Sequence, residues 1–420
     1  MLAMSLRLAP SSMVHNSWPR SWGSRGASAM MDGVSASTSK HPLQRPFDAT
    51  HAPSDMARVT VVGAGLAGLA TALYATTAGH HVVVLDRRDR LGGYATSQTV
   101  DGAPFGHGLH LLLRRGPLAN LVKKISRLPT VLSAPRLDRL KAVNIGVLRP
   151  RNNVRKAAEQ RRALRSRSPN DPIVQAAALL AGSGHPNLEH RYEALLKQRL
   201  AVVGEGWAGL VGRMASALDE VGVLIEANCD VVSLDSGRVT LADGRSFDSD
   251  VVVVACGFKQ ARRLLSGSGH DLFEDVHAKH ASTLDLTLTS RPLEMLHGII
   301  DADEGAYALD LSNIQPRWGL SGAYLSSVMV EREGETGEAR LARLETFLDT
   351  HAPGWRAHVV HRRHQTHVGV QTVGQKPAFD RLADHGILLA GEWVESEHAL
   401  ADAAVETGRL SGQNIARAMA

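Results

Sequence analysis

Arg58-Val59-Thr60-Val61-Val62 runs straight into Gly63-Ala64-Gly65-Leu66-Ala67-Gly68, and this junction narrows the fold more than anything else in the chain. The apolar run suits a buried parallel strand. Leu66, Leu69, Ala70, Leu73 and Ala75 then recur at near-helical spacing. Gly79 stands where a helix C-terminal glycine belongs, and His81-Val82-Val83-Val84-Leu85 begins a second strand. In that setting G-x-G-x-x-G reads as a dinucleotide fingerprint. Gly63 permits the turn, Gly65 lets the backbone approach a pyrophosphate, and Gly68 lets the helix lie close to the strand. Ala64 sits inside the turn, and the first helical turn, with Leu66 and Ala67, offers free N–H groups to phosphate. A glycine turn without a ligand is the bland alternative. Asp86 ends the second strand roughly 20 residues on, where an acid can accept hydrogen bonds from an adenosine ribose. A carboxylate there disfavours a 2′-phosphate, although Arg87 and Arg88 follow at once.

At 420 residues, 44% hydrophobic and 21% charged, the chain can fill two or three packed domains of ordinary soluble character. Its formal charge of +5 weakly favours anionic partners. No zinc spacing, RNA-recognition motif or helix-turn-helix pattern accompanies that charge, so no nucleic-acid partner is expected. With Cys229 and Cys256 as the only cysteines, a disulfide framework and a cysteine-rich metal centre are excluded, and a reducing compartment fits. No apolar run reaches the roughly 18 to 20 residues that span a bilayer, so a cytoplasmic protein with at most peripheral membrane association is expected. Residues 1–56 are Ser-, Met- and Pro-rich, with Arg7, Arg20 and Arg25 preceding the first acid, Asp32. A disordered tail, an over-extended start and an organelle-targeting segment all share that composition.

Further along, Trp207 to Leu218 reads as an amphipathic helix. Val221–Glu226 and Cys229–Leu234 read as strands, Val239-Thr240-Leu241 and Ser246-Phe247 as a hairpin about Ala242-Asp243-Gly244, and Val251–Ala255 as a buried strand. Thr283-Leu284-Asp285-Leu286-Thr287-Leu288 alternates as a one-sided strand does. Gly386–Ala390 forms a last buried strand, and Ala401–Ala420 an Ala-rich helix. The stretch from about Arg114 to Leu200 reads as mostly helical, with arginines between Arg149 and Arg167 on a solvated face or loop.

Several of these segments together resemble the FAD-dependent amine oxidase and phytoene desaturase superfamily. Arg90-Leu91-Gly92-Gly93-Tyr94-Ala95-Thr96-Ser97 is similar to its double-glycine element, which approaches the FAD pyrophosphate and ribityl chain. Phe105-Gly106-His107-Gly108-Leu109-His110 resembles the segment leading toward the flavin ring, and Gly204-Glu205-Gly206-Trp207 the glycine-rich turn before the return to the FAD domain. Cys229-Asp230-Val231-Val232 resembles the strand whose backbone meets the adenine, with Val231 at the matching position. Gly391-Glu392-Trp393 resembles the C-terminal Gly-acid signature at the ribityl or pyrophosphate region, followed by a helix aimed at the flavin. The lean is toward the squalene and phytoene desaturase branch, although Glu395–Ala404 departs from its usual segment and no paired aromatic cage is evident.

The resemblance implies an α/β fold: a Rossmann-like FAD-binding domain of glutathione-reductase type with an inserted α+β substrate domain. FAD-binding parts are expected at 57–112, 201–265 and 381–420, a helical cap insertion at 113–200 and the substrate domain at 266–380. It implies FAD as cofactor, with a small-molecule substrate, hydrophobic ones included, and an electron acceptor such as oxygen or a quinone. The expected activity is dehydrogenation or desaturation by hydride transfer to flavin N5. Amine oxidation, a reductive or redox-neutral reaction such as dehydroxylation, and a non-enzymatic role like that of GDP-dissociation inhibitors are the alternatives. His107 and His110 are candidates for proton transfer, against an equal case for structural histidines. Lys376 is a candidate for holding a water near N5, while Glu392 reads as a cofactor ligand. His351, His358, His361, His364 and His367 cluster in sequence, with a surface role preferred to a metal site, and no metal is expected.

Overall fold

A computed structural model describes residues 56–100, 103–106, 111–125, 132–143, 146–147, 200–235, 237–266, 272–316 and 322–419. The strand Arg58–Val62 (β1) lies at the centre of a five-stranded parallel sheet. The helix Leu66–Thr77 (α1) leads from it to the strand His81–Leu85 (β2), which pairs on one side of β1. Val251–Val254 pairs on the other side, and Leu224–Glu226 and Ile387–Leu389 complete the two edges.

Because side chains alternate along a strand, a run apolar at every position must be covered on both faces. Val59, Val61, Val82, Val84, Val251, Val253 and Leu388 enter one core with α1, the helix Gly206–Glu220 and the C-terminal helix. Val62, Val83, Leu85, Val252, Val254 and Leu389 enter another, closed by the antiparallel strands Val231–Asp235 and Arg238–Leu241 and by the helix Phe258–Leu265. The expected hairpin is present, with Val239 opposite Phe247.

A second sheet of seven strands runs in the order 359–373, 277–288, 323–330, 306–310, 298–301, 140–142, 146–147. Leu284, Leu286 and Leu288 point to one face, where they pack with Leu344, Phe347, Leu348 and Trp355. The opposite face carries Thr283, Asp285, Thr287, Tyr307, Tyr324 and Ser326, all buried.

The C-terminal helix is shorter than expected, covering Leu400–Gln413, with a 3-10 turn at Ile415–Ala418. Asn414 ends it: its side-chain amide donates to Leu410 O at 2.7 Å, a local bond that competes with continuing the helix. Of the stretch read as helical between 114 and 200, the described part holds the helix Pro117–Ile125 but also the short strands Leu132–Ser133, Leu140–Ala142 and Gly146–Val147, the last two at an edge of the seven-stranded sheet. Residues 126–131, 144–145 and 148–199 lie outside the described residues. Asp402, in the first turn of the C-terminal helix, is 2% exposed and accepts from Leu113 N–H at 3.3 Å and Leu118 N–H at 3.1 Å. The carboxylate thereby satisfies the Leu118 amide in the first turn of Pro117–Ile125, which has no acceptor within its own helix, and ties that turn to the preceding strand Leu112–Leu113. Asp402→Ala is expected to destabilise the fold by about 2 kcal/mol, read from urea unfolding midpoints at constant slope.

Candidate dinucleotide site

The end of β1, the end of β2 and the double-glycine turn interlock through their own backbones. Gly63 N–H donates to Leu85 O at 2.7 Å, Gly92 N–H to Ala64 O at 2.8 Å, and Gly65 and Gly92 form an isolated parallel bridge. Asp86, 8% exposed, joins them: Oδ2 accepts from Ala64 N–H at 2.7 Å and Oδ1 from Arg88 N–H at 2.8 Å. The sequence anticipates Asp86 as a ribose acceptor and misses this second role on its own backbone. Arg88 also donates to Gly93 O at 3.3 Å, while the Arg87 side chain is exposed.

Glycine matters in two different ways here. Gly63 has φ +113°, and a Cβ there would lie 2.8 Å from Ala255 O and Cys256 N, so the fold itself demands it. Gly65 is extended, and its Cβ would meet nothing nearer than 3.9 Å, at Gly92 O and Gly93 Cα. The fold tolerates a side chain there, but that side chain would fill the space between the two glycine turns. α1 begins beside this space with Leu66, Ala67 and Gly68 buried, no side-chain cap and no acid in its first turn, an arrangement suited to an external anion. The residues therefore fit a dinucleotide pyrophosphate.

Two further segments reach the same region. Gly391 N–H donates to Thr407 Oγ1 at 2.9 Å, and Trp393 Nε1 donates to Cys256 O at 2.9 Å, next to the backbone that Gly63 abuts. Burial pushes the Cys256 thiol up to about 12, which leaves it protonated and inert near neutrality. Val231 is buried, and its carbonyl accepts from Gln260 Nε2 at 3.2 Å and Arg263 Nη2 at 3.1 Å.

Lys376 and Glu392 are brought together. The Lys376 ammonium donates to Glu392 Oε1 at 3.0 Å and to its backbone O at 2.6 Å, while Thr372 donates to Oε2 from N–H at 2.9 Å and from Oγ1 at 2.8 Å. Both candidates are thus engaged with each other, and Thr372 is a partner that the sequence did not point out. His107 and His110 lie outside the described residues, which resume at Leu111. Of the clustered histidines, His358 Nδ1 faces Thr289 Oγ1 at 3.0 Å and His367 stacks on His280 at 3.8 Å. Among the described residues no group of three or more His, Cys, Asp or Glu is placed to hold a metal ion.

Comparison with known proteins agrees with this geometry. Residues 61–125 match the NAD(P)-binding Rossmann-like domain, and residues 173–416 match the flavin containing amine oxidoreductase profile. The 15-cis-phytoene desaturase of Narcissus pseudonarcissus is 42% identical over 76 residues, which are 18% of this chain and 13% of the desaturase. That of Synechococcus elongatus is 42% identical over 71 residues, 16% of this chain and 15% of the desaturase. The match therefore spans a small part of those relatives. Among solved structures, putrescine oxidase bound to putrescine superposes with TM-score 0.63 at 16% identity, covering 87% of this chain and 100% of the oxidase. Cyclohexylamine oxidase from Brevibacterium oxydans gives 0.61 at 17% identity, covering 86% and 98%. At such identities the likeness concerns the fold.

Two variants separate fold from cofactor. Gly63→Ala should destabilise the apoprotein, whereas Gly65→Ala should leave its thermal midpoint near the parent's and weaken FAD binding in calorimetry. Asp86→Ala should cost on the order of 1.5 to 3 kcal/mol of FAD affinity in the same titration.

Proposed function

The chain belongs to the flavin containing amine oxidoreductase family, with FAD as its cofactor, and we propose that it dehydrogenates a small organic substrate by hydride transfer to the flavin. The observation that carries this reading is the interlocked cradle of Gly63, Gly65, Asp86, Gly92 and Gly93, in which a side chain at Gly65 would meet nothing nearer than 3.9 Å. Bound FAD supplies a two-electron acceptor, so the protein's task is to orient the substrate C–H bond and exclude competing reactions.

The chain's own residues divide that task. The Gly65–Gly93 gap and the start of α1 would hold the pyrophosphate, Asp86 the ribose hydroxyls, and the Val231 backbone the adenine. Gly391 and the Glu392 carboxylate, fixed by Thr372 and Lys376, would border the ribityl side. The seven-stranded sheet would face the substrate. Oxygen or a quinone would reoxidise the cofactor. Among the described residues no helix is long and apolar enough to cross a membrane.

A second reading, oxidation of an amine, is favoured by the polar groups Asp285, Tyr307, Tyr324 and Ser326, which are buried on one face of that sheet beside Leu309 and Val328. A role as a prenyl-protein chaperone is disfavoured by the complete dinucleotide cradle. The purified chain should be yellow, release FAD on denaturation, and bleach anaerobically with one substrate class when challenged with amine and isoprenoid panels. A colourless chain that FAD cannot reconstitute would remove the reading.

A further inference from the structure

The hairpin that follows the double glycine runs through Ser97–Val100 (β3) and Ala103–Gly106 (β4) and is gripped at both ends. At its start, Ser97 Oγ accepts from Ala208 N–H at 3.0 Å, on the helix Gly206–Glu220. At its end, three successive backbone groups are taken by two side chains of the seven-stranded sheet. Tyr324 Oη accepts from Gly106 N–H at 3.2 Å, and Arg363 Nη1 donates to Phe105 O at 3.3 Å and Gly106 O at 3.2 Å. The Phe105 ring, 0% exposed, packs on Tyr324 with centroids 4.9 Å apart.

Neutral carbonyls alone are poor compensation for a half-buried guanidinium. Asp285 lies directly across the strand pair from Arg363 and from Ser326, whose Oγ donates to Asp285 Oδ1 at 2.7 Å. Arg363 also feels Arg90, two positions before Gly92, so the group stands at the seam between the polar sheet face and the glycine turn.

We propose that Arg363 and Tyr324 are positioning residues, which hold the Phe105–Gly106 backbone and so set the hairpin beside the cofactor cradle, with Asp285 supplying the charge that keeps Arg363 in place. The positioning role rests on the FAD reading above; the hold on Gly106 does not.

The arrangement has an unusual dependence on pH. Burial raises the Asp285 carboxyl to about 7, opposed by Ser326 and Arg363. Among the described residues, the other charged or titratable groups that act on the cluster include Tyr307 and Tyr324, both raised by burial and by Asp285, and Arg90. As pH falls through about 7 the carboxyl takes a proton, Arg363 loses its counter-charge, and the hold on Gly106 loosens. Overall stability moves the other way. A carboxyl whose folded value lies above its ordinary 3.8 favours the fold when protonated, so this group's contribution falls as pH rises from about 4 to about 7. A merely structural contact would loosen and destabilise together.

The test is hydrogen exchange of peptides spanning Phe105–Gly106 in the FAD-loaded full chain, corrected for intrinsic rates, at pH 6 and pH 8. Visible circular dichroism of the flavin and the thermal midpoint are read alongside it. Gly106 should exchange about tenfold faster at pH 6 than at pH 8 in the parent, with no such difference in Asp285→Asn. Arg363→Met and Tyr324→Phe should exchange about tenfold faster than the parent at pH 8, Arg363→Lys should recover part of the protection, and the flavin signal should follow. Unchanged Gly106 exchange in folded Arg363→Met and Arg363→Lys, in a chain that binds FAD, would overturn the hold and with it the positioning role, and leave the cofactor reading standing. Altered exchange with an unmoved flavin signal would overturn its positioning role. A chain that binds no FAD would overturn both the cofactor reading and the positioning role.

Discussion

The Asp86 carboxylate is the constraint on which the rest of the site depends. Its two oxygens accept backbone N–H bonds from Ala64, inside the first glycine turn, and from Arg88, on the way to the second. A hydrogen bond to a charged group contributes on the order of 1.5 to 3 kcal/mol, so the pair can hold the two turns in one arrangement. Once Ala64 is fixed, its carbonyl receives Gly92 N–H, Gly65 and Gly92 come into register, and the space between them has the width of backbone rather than of side chains. The chain's own bonds hold the cradle together, which limits the ordering cost that binding must overcome.

That arrangement needs a rigid platform, and the strict alternation of the parallel strands provides it. The valines of β1, β2 and Val251–Val254 send successive side chains into two separate cores, so a slip by one residue would exchange both sets at once. The seven-stranded sheet follows the other pattern. One face is apolar against the helix Gly337–His351, and the other sets Asp285, Tyr307, Tyr324 and Ser326 among Leu309 and Val328 and is still buried. A polar face is costly to bury without partners, and its partners here include the hairpin that leaves the double glycine.

The platform was legible in the sequence because its signals are local. Four of the five parallel strands announce themselves as short apolar runs bounded by glycine or a charged residue, and α1 by its spacing after the turn. The Val239–Phe247 hairpin follows from Ala242-Asp243-Gly244. The C-terminal helix was overextended because alanine propensity continues past Asn414, whose side chain stops the helix through a contact that propensity does not encode. What stayed hidden are cross-chain bonds. Gly106 meets Tyr324 at a separation of 218 residues and Arg363 at 257, and neither side chain carries a local mark of that role. Lys376 and Glu392 were each visible as candidates, but only the fold shows that the ammonium sits on that carboxylate.

The most direct test of the account is a crystal structure of the FAD complex at a resolution that places phosphates. The pyrophosphate is expected in the gap between Gly65 and Gly93, beside the first turn of α1, with the Asp86 bonds to Ala64 and Arg88 retained. FAD seated elsewhere, or a cradle that must break either Asp86 bond to admit it, would contradict the claim that the interlocked turns are the cofactor site.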